Sequence, residues 1–327
     1  MNFEDKKILV TGVAGFIGSN LAYRLLELGA QVTGIDNFFN GNFDSIEDFY
    51  KNKDFRLVKG DIRDYDLLLD LFKDIDIVYH EAAFTSVPLS ILMPQSCNDV
   101  NINGTLNVLN AARKRDVEKI IQASSASVYG DTPTLPKKEN MPRIPISPYG
   151  VSKLTCEAYM QAFYHTYGLK TVSLRYFNVY GPRQEDSPYS GVIAIWLGRI
   201  IKNKDLMIFG NGEQSRDFIY IKDVIEVNLL AAEYDVPGEV FNIGAGSPIK
   251  LTDLAKLMLK LTKKEELKIL YSDPRAGDIL HSFADITKVK NLLKFQPKYT
   301  PEQGLRDYFN WYSKKFNINL LVDEGNS

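Results

Sequence analysis

The sequence predicts an α/β protein with a doubly wound parallel sheet and a second, smaller α/β domain. Apolar runs of strand length alternate with helical patterns through the first half of the chain. This alternation is typical of a parallel sheet with helices on both faces. After about residue 176 the pattern becomes irregular. The length of 327 residues is enough for roughly two domains, so we place the boundary at this change of pattern.

Apolar runs in the first half predict the strands of the sheet, and the segments between them predict its helices. The first helix has a defined end, because Gly29 follows its last residue and glycine commonly terminates helices. The predicted strands are Lys7–Thr11, Gln31–Asp36, Phe55–Lys59, Asp76–His80, Lys119–Ser124 and Thr171–Arg175. The predicted helices are Phe16–Leu28, Tyr65–Phe72, Val100–Arg115 and Tyr149–Tyr167.

The second half predicts fewer regular elements. Tyr180–Tyr189 is expected to be a loop and Phe209–Asp217 a glycine-bearing turn. Thr252 and Asp253 are expected to cap a helix. The predicted helices are Gly191–Asn203, Ile221–Tyr234, Leu251–Leu261 and Thr300–Phe316, and Val240–Ile243 is a predicted strand. We therefore expect one domain over residues 1–176, to which the chain returns around 218–243, and a second over residues 177–327.

Composition excludes several classes of protein. The 39 basic and 41 acidic residues give a net charge of −2, so the net basic field that favours nucleic acid or anionic lipid is absent. Two cysteines cannot build a disulfide framework, and three widely spaced histidines do not indicate a zinc site. The N-terminus lacks the apolar core of a signal peptide, and no apolar run approaches the ~18 residues of a membrane span. We expect a soluble cytoplasmic protein without metal, membrane or nucleic-acid partners.

A glycine-rich turn after the first strand predicts a dinucleotide site. Gly12, Gly15 and Gly18 are spaced three apart between a predicted strand and a predicted helix, where backbone N–H groups can approach a pyrophosphate. Asp36 ends the second strand, where a carboxylate accepts hydrogen bonds from the adenosine ribose and repels a 2′-phosphate. Asn37 follows where an NADP enzyme would more often carry a basic residue, so the sequence favours NAD over NADP.

Tyr149 and Lys153 form a candidate catalytic pair near the start of a predicted helix. They are four residues apart, so both project from one helix face. A free tyrosine ionises near pH 10 and is a poor base at neutral pH, but a nearby ammonium group and a positively charged nicotinamide both favour the phenolate. Such a pair can exchange a proton with a substrate hydroxyl while a hydride passes to NAD. The alternative is an ordinary amphipathic helix, and the glycine turn and parallel sheet favour the catalytic interpretation.

Together these segments resemble the extended short-chain dehydrogenase/reductase superfamily over nearly the whole chain. The resemblance rests on the glycine turn, on Ser125 at the end of the fifth strand and on the Tyr149-x-x-x-Lys153 pair. Three later segments, Leu174–Pro182, Gly212–Phe218 and Arg275–Asp285, are similar to UDP-hexose 4-epimerases. The resemblance implies a Rossmann-type NAD-binding domain, a UDP-sugar-binding domain and a homodimer with the helices over 100–115 and 149–167 at its interface.

The resemblance also implies roles for matching residues. Tyr149 corresponds to the base, Lys153 to its partner on the nicotinamide ribose and Ser125 to the hydroxyl that contacts O4 of the sugar. The expected NAD contacts are Gly12, Gly15, Phe16, Ile17, Gly18, Asp36, Asn37, Asp61, Ile62, Ala82, Ala83, Tyr149, Lys153 and Tyr176. For Asp61, a solvated turn aspartate is the alternative. The expected UDP-sugar contacts are Ser86, Ser125, Asn178, Val192, Ile208, Phe209, Arg216, Arg275, Asp278 and Ser282.

Three positions narrow the activity that the resemblance implies. Sugar-nucleotide 4,6-dehydratases carry an Asp-Glu pair directly after the hydroxyl residue, and decarboxylating relatives usually carry a glutamate there. This chain has Ala126 and Ser127 instead, so the acid and base for water elimination are missing. Ser282 stands where epimerases restricted to UDP-glucose often have a tyrosine and where relatives that accept N-acetylated sugars have a small residue. This implies room for a 2-acetamido group.

The expected activity is therefore NAD-dependent C4 epimerisation of a UDP-hexose through a 4-keto intermediate. UDP-N-acetylglucosamine and UDP-N-acetylgalactosamine are the favoured pair, and UDP-glucose and UDP-galactose are a second pair. One alternative is a UDP-uronate 4-epimerase, although the sequence identifies no cation for the sugar C6 carboxylate. Another is a different NAD-dependent sugar-nucleotide oxidoreductase of the same fold. The alternative from another class is a non-catalytic NAD-binding regulatory protein.

Overall fold

The computed structural model describes residues 2–184, 191–274 and 279–321, and its elements alternate as the sequence predicts. In chain order the strands are β1 (Lys7–Thr11), β2 (Gln31–Asp36), β3 (Phe55–Lys59), β4 (Ile77–His80), β5 (Lys119–Ser125), β6 (Lys170–Tyr176), β7 (Asn178–Tyr180), β8 (Leu206–Phe209), β9 (Ser215–Tyr220), β10 (Glu239–Ile243), β11 (Pro248–Lys250), β12 (Ile269–Ser272) and β13 (His281–Ser282). The α-helices are α1 (Phe16–Glu27), α2 (Tyr65–Leu71), α3 (Val87–Leu92), α4 (Pro94–Asn98), α5 (Gly104–Lys114), α6 (Pro148–Tyr167), α7 (Val192–Ile201), α8 (Ile221–Glu233), α9 (Leu251–Leu261), α10 (Thr287–Leu293) and α11 (Pro301–Phe316).

A seven-stranded sheet forms the centre of the molecule. Its spatial order is β3-β2-β1-β4-β5-β6-β10, and every neighbouring pair is parallel. The order reverses between β1 and β4, which places a ligand crevice at the carboxyl ends of the strands. The predicted Rossmann-type α/β fold is confirmed.

Successive residues of β1 show how both faces of this sheet are covered. Ile8 and Val10 belong to the core cluster that contains Leu21 of α1, whereas Leu9 belongs to the cluster that contains Leu68 of α2. All five side chains are fully buried. A strand covered on both faces is apolar at every position rather than at alternate ones, and this is why β1 is a continuous apolar run in the sequence.

A smaller sheet follows in the second half of the chain. The strand β9 lies at its centre and pairs with β11 in antiparallel and with β13 and β7 in parallel fashion, and β8 pairs separately with β12. The predicted turn over Phe209–Asp217 was too long, because β8 ends at Phe209 and β9 already begins at Ser215. The mixed polar and apolar residues of β9 give no apolar run. The loop predicted over Tyr180–Tyr189 begins after β7, and residues 185–190 lie outside the described residues.

The starts of two helices differ from what the sequence predicts, one in its boundary and the other in its cap. The helix predicted over Val100–Arg115 is preceded by α4 and by a π-helical turn at Asp99–Asn103, so α5 itself begins at Gly104. The cap predicted for α9 was wrong. No side chain caps that helix, and the Thr252 hydroxyl instead donates to the backbone oxygen of Gly212 at 3.1 Å. Thr252 serves the adjacent glycine turn because the turn folds back onto the first turn of the helix.

The segment that returns to the first sheet is held there by a buried cation. The strand β10 pairs with β6, and α8 leads into it. The Lys119 ammonium group donates to the backbone oxygens of Ala231, Ala232 and Tyr234 at 3.3, 2.8 and 2.8 Å, which satisfies carbonyls at the end of α8.

The division of the chain into domains at residue 176 remains a prediction. Among the described residues, no helix combines the length and apolar character that a membrane span requires.

Candidate active site

A cleft of about 1370 Å³ opens at the carboxyl ends of the central strands. One wall comes from the segments that follow β1, β2, β3, β4, β5 and β6, and the other comes from β7, α7, β8 and β9. The cleft has the size of a ligand or cofactor site. Its position agrees with the general rule for open parallel sheets.

The glycine turn lies at the floor of the cleft and requires its glycines for two different reasons. Gly12 has a φ of +71°, and a Cβ atom there would lie 2.7 Å from the backbone nitrogen of Ala82. A Cβ atom on Gly18 would collide with the backbone oxygen of Gly12. The turn leads directly into α1. Gly15, which precedes the first residue of this helix, has no side chain that could cap it. Gly15, Phe16, Ile17 and Gly18 all line the cleft, and uncapped N–H groups at a helix N-terminus suit a pyrophosphate.

Two aspartates lie beside this turn at the ends of β2 and β3. Asp36 accepts hydrogen bonds from the backbone N–H groups of Ala14 at 2.9 Å and Phe38 at 2.8 Å, and burial raises its pKa. Asp61 accepts a 2.8 Å hydrogen bond from the amide of Asn37. Asp36 retains further lone pairs for hydroxyl groups of a ligand, whereas the acceptor sites of Asp61 are taken up by Asn37 and by the neighbouring Arg63. Asp36, Asn37 and Asp61 line the cleft, so the three predicted residues are brought together.

Arg63 is a residue of this region that the sequence did not single out. Its guanidinium group donates to Asp61 through Nε at 2.9 Å and through Nη2 at 2.8 Å, and it lines the cleft. These hydrogen bonds hold the pKa of Asp61 well below its usual range. The spacing of two residues between Asp61 and Arg63 within a turn was the signal that could have indicated the pair.

The candidate catalytic pair lies on the first turns of α6. The Ser147 hydroxyl caps this helix by accepting from the backbone N–H of Gly150 at 3.1 Å. The Lys153 ammonium group lies 5.9 Å from the centre of the Tyr149 ring and donates to the backbone oxygen of Ala123 at 2.8 Å. Ser125, at the end of β5, accepts from the backbone N–H of Ser127 at 3.1 Å. Tyr149, Lys153 and Ser125 all line the cleft.

A buried ion pair supports this pair from behind. Glu157 is four residues beyond Lys153 and accepts from Arg175 through two hydrogen bonds of 2.8 and 2.7 Å. The Ser124 hydroxyl donates to Glu157 at 2.5 Å, and both charged side chains have at most 1 % exposure. Three successive residues of β5 thus have different functions, because Ala123 holds Lys153, Ser124 holds Glu157 and Ser125 faces the cleft. The four-residue spacing continued from Lys153 was the available signal.

Most of the expected sugar-nucleotide contacts form the other wall. Ser86, Asn178, Val192, Ile208, Phe209 and Arg216 line the cleft, as do the expected NAD contacts Ile62, Ala82, Ala83 and Tyr176. The Ser86 hydroxyl also caps α3 by accepting from the backbone N–H of Leu89 at 3.2 Å. Arg216 donates to the backbone oxygens of Ser215 and Leu280 at 3.0 and 3.2 Å, which ties β9 to the chain before β13.

Three of the expected contacts are not placed on the cleft wall. Ser282 pairs with Arg216 in the register of β13 and β9, but among the described residues it does not line the cleft. The role expected of Ser282 in the sugar pocket remains a prediction. Arg275 and Asp278 lie outside the described residues. Glu81, which the sequence did not single out, does line the cleft.

Comparisons with known proteins identify close likenesses. The model of the NAD dependent epimerase/dehydratase family matches residues 8–244. A putative UDP-glucose 4-epimerase from Methanocaldococcus jannaschii is 38% identical over 310 residues, covering 93% of this chain and 97% of the relative. The structure of a UDP-N-acetylglucosamine 4-epimerase from Methanobrevibacter ruminantium, in complex with UDP-N-acetylmuramic acid, has a TM-score of 0.91 at 37% identity and covers 95% of this chain and 99% of that one. A Bacillus cereus UDP-glucuronic acid 4-epimerase with UDP-glucuronic acid and NAD has a TM-score of 0.88 at 34% identity, covering 94% and 99%.

Proposed function

Because the chain belongs to the NAD dependent epimerase/dehydratase family, we propose that it inverts C4 of a UDP-hexose through a 4-keto intermediate. Its relatives are UDP-sugar epimerases and related enzymes, and the cofactor of this family is NAD. The residues present suit that cofactor. The uncapped N-terminus of α1 provides donors for the pyrophosphate, and Asp36 provides an acceptor for a ribose hydroxyl.

The observation that carries the proposal is the convergence of Tyr149, Lys153 and Ser125 on one cleft with the glycine turn. NAD, when bound, supplies a carbon that accepts a hydride and returns it. Tyr149 takes the proton of the 4-hydroxyl, and Lys153 holds its ammonium group 5.9 Å from the centre of the Tyr149 ring, fixed there by the backbone oxygen of Ala123. Ser125 directs a hydrogen bond to the same oxygen. The 4-keto sugar then turns within the cleft and receives its proton back from Tyr149.

The chain lacks the residues with which related enzymes eliminate water from the sugar. After Ser125 the chain forms a 3₁₀ turn over Ala126–Tyr129. Ala126 has no ionisable group and Ser127 no carboxyl group, so neither provides the acid and base that the water-eliminating relatives use. The geometry thus favours return of the hydride to the same carbon over elimination.

The hexose pairs that the sequence favours remain the proposed substrates, UDP-N-acetylglucosamine with UDP-N-acetylgalactosamine first and UDP-glucose with UDP-galactose second. The likeness to the M. ruminantium enzyme supports the first pair, and the M. jannaschii relative supports the second. Ser282, which pairs with the cleft residue Arg216 in the register of β13 and β9, remains the residue proposed to make room for an N-acetyl group. A UDP-uronate remains the alternative substrate because of the B. cereus neighbour.

The test is epimer formation without added NAD, with UDP-N-acetylglucosamine and UDP-glucose assayed in parallel. Formation of the matching C4 epimer from either substrate, with no net reduced cofactor, is the expected outcome. Conversion of UDP-glucose alone would retain the class and reject the preference for N-acetylated sugars. Conversion of neither would direct the assay to UDP-glucuronic acid. No turnover of any UDP-sugar by protein that holds NAD would support the non-catalytic alternative.

We also propose a homodimer that resides in the cytoplasm. The interface predicted on the helix over 100–115 is limited, because Val108 and Leu109 of α5 are buried in the core. Exposed apolar side chains instead occur on α3 and near the start of α6, two helices that contact each other, and they comprise Ile91, Leu92, Met93, Ile146 and Val151. Exposed apolar surface of this kind is typical of association sites. Light scattering of the wild type against Leu92→Asp, with an expected shift from dimer to monomer, tests the proposal.

A further inference from the structure

Glu81 is an acidic residue on the cleft wall to which the proposed mechanism assigns no task. It directly follows β4 and lines the cleft together with Tyr149, Lys153 and Ser125. It is also close enough to Lys153 for the charges of the two groups to affect each other. The Glu81 carboxyl group is therefore close to Lys153, whereas Asp36 and Asp61 lie at the ends of β2 and β3 beside the glycine turn.

The Glu81 side chain contacts a small group of neutral hydrogen-bonding side chains. The Tyr176 hydroxyl lies 3.1 Å from Oε1 of Glu81 and 3.1 Å from the side-chain oxygen of Asn228, either of which can accept its single proton, and the Asn228 amide donates to this hydroxyl at 2.8 Å. Neither donor carries a charge that could neutralise the carboxylate. A carboxylate with only neutral donors keeps an unbalanced negative charge.

The other groups that face Glu81 come from three elements. Tyr79 on β4 and Tyr176 on β6 are neutral hydroxyls, and Lys153 on α6 is the single cation among the described groups that affect it. Lys153 directs its ammonium group at Ala123 rather than at Glu81. Burial raises the pKa of the Glu81 carboxyl group to about 7, so small changes in nearby charge shift its ionisation at physiological pH.

We propose that the Glu81 carboxylate stabilises the oxidised, positively charged nicotinamide relative to the neutral reduced ring and so favours return of the hydride to the sugar. The proposal rests on the proposed function in placing the nicotinamide beside Tyr149. In the forward step the sugar C4–H bond breaks, its hydrogen and electron pair form a C–H bond on the ring, and the hydroxyl proton goes to Tyr149. The ring then loses its positive charge, which removes an attraction to Glu81. An epimerase gains from this bias, because a ketone that leaves early strands the cofactor in its reduced form.

The test is a redox titration of the bound cofactor in the holoenzyme, with soluble mediators and the near-ultraviolet absorbance of reduced nicotinamide as the readout. The variants are Glu81→Gln, which keeps an acceptor for Tyr176, and Glu118→Gln, which neutralises an exposed carboxylate at the opposite end of β5. At pH about 8, above the carboxyl pKa of about 7, Glu81→Gln should raise the ratio of reduced to oxidised cofactor about tenfold, equivalent to about 30 mV for two electrons. At pH about 6 the difference should be much smaller, because most of the wild-type carboxyl group is then protonated.

A second variant tests the hydrogen bond between Tyr176 and Glu81. Tyr176→Phe removes a donor that favours the ionised Glu81 carboxyl group. The pKa of Glu81 should therefore rise, and the pH above which the carboxylate favours the oxidised cofactor should rise with it. Equal titrations of wild type and Glu81→Gln at both pH values would overturn the inference, as would an equal shift in Glu118→Gln. The titration reads the cofactor alone. A chain that converts no UDP-sugar but shows the pH-dependent difference would therefore overturn the proposed function and keep this inference. A chain that converts a UDP-sugar but shows no such difference would keep the proposed function and overturn this inference.

Discussion

The two walls of the cleft are built in different ways. The wall proposed for NAD is formed by the segments that follow the buried parallel strands of the large sheet. Its glycines and carboxylates come at or directly after the strand ends, as at Gly12 after β1 and Asp36 at the end of β2. The wall proposed for the UDP-sugar comes from α7, β8 and β9, which are separated along the chain and join a small mixed sheet. The first wall is thus determined by local sequence, and the second by the association of distant segments.

This difference teaches where variation in the two walls is tolerated. The glycine positions on the wall proposed for NAD have a backbone reason, such as the collision that a Cβ atom on Gly18 would cause with Gly12. Arg216, on the other wall, is held by backbone oxygens on β9 and before β13. We therefore expect substitutions on the NAD side to affect chemistry and folding, and substitutions on the sugar side to affect mainly affinity and substrate choice.

The largest effect is expected from Tyr149→Phe. Removal of a general base typically lowers turnover about 10²- to 10⁴-fold, whereas NAD and the UDP-sugar should still bind, because the ring and the rest of the wall remain. The measurement is kcat for epimer formation together with the content of bound NAD. Tyr159→Phe on the same helix, outside the cleft lining, is the matched control and should keep turnover. Near-wild-type turnover of Tyr149→Phe would remove the basis of the proposed mechanism.

Glu157→Gln should sharpen the comparison by damaging the support of the catalytic wall. The substitution leaves the buried Arg175 charge without its partner, and such a loss costs about 3–5 kcal/mol. Chemical unfolding should show this lower stability. Turnover should also fall, because Ser124 loses the carboxylate to which it donates and the strand end beside Lys153 is then held less firmly. The double variant Glu157→Gln/Arg175→Met removes both charges and should recover part of the stability. Unchanged stability in the single variant would contradict this account.

Arg216→Gln tests the other wall. A hydrogen bond from a charged group contributes about 1.5–3 kcal/mol, so we expect KM for the UDP-sugar to rise about 10- to 100-fold with a smaller change in kcat. Lys250→Met is the control, since Lys250 is an exposed cation on the neighbouring strand β11 and does not line the cleft. An effect confined to kcat, or an equal effect of Lys250→Met, would show that this wall does not act through affinity.

The smallest effect is expected from Asp61→Asn and depends on pH. Hydrogen bonds from Arg63 hold the folded-state pKa of Asp61 below its unfolded value, so its ionised form stabilises the fold above pH about 4. That contribution is lost as pH falls through the lowered folded-state pKa. Unfolding free energies should therefore differ between wild type and variant at neutral pH and converge in acid. Asp70→Asn, at an exposed ion pair with Lys73, should change little. A difference that persists in acid would argue against this ionisation.

The structural elements around the candidate site that the sequence predicted correctly depend on short spacings. Tyr149 and Lys153 share a helix face because they are four residues apart, and the glycine turn follows a strand that is apolar throughout. The site roles themselves remain predictions until the variants are measured. The predictions that failed involve longer range. The cap at Thr252 was wrong because the glycine turn at Gly212, 40 residues away, takes its hydroxyl, and the turn over Phe209–Asp217 was too long because β9 begins at Ser215 and pairs with distant strands.

By itself the sequence determined the Rossmann-type sheet, its glycine turn and the helix that carries Tyr149 and Lys153, because each depends on periodicity and turn chemistry within a few residues. Only the tertiary structure decided which polar groups share an enclosed environment. Glu81 meets Tyr176 across 95 residues, Arg175 meets Glu157 from the neighbouring strand, and Lys119 meets the end of α8 across 112 residues or more. The physical reason is that these charges are placed by strand order and helix packing, and a charge acquires its effect from what surrounds it after the chain has folded.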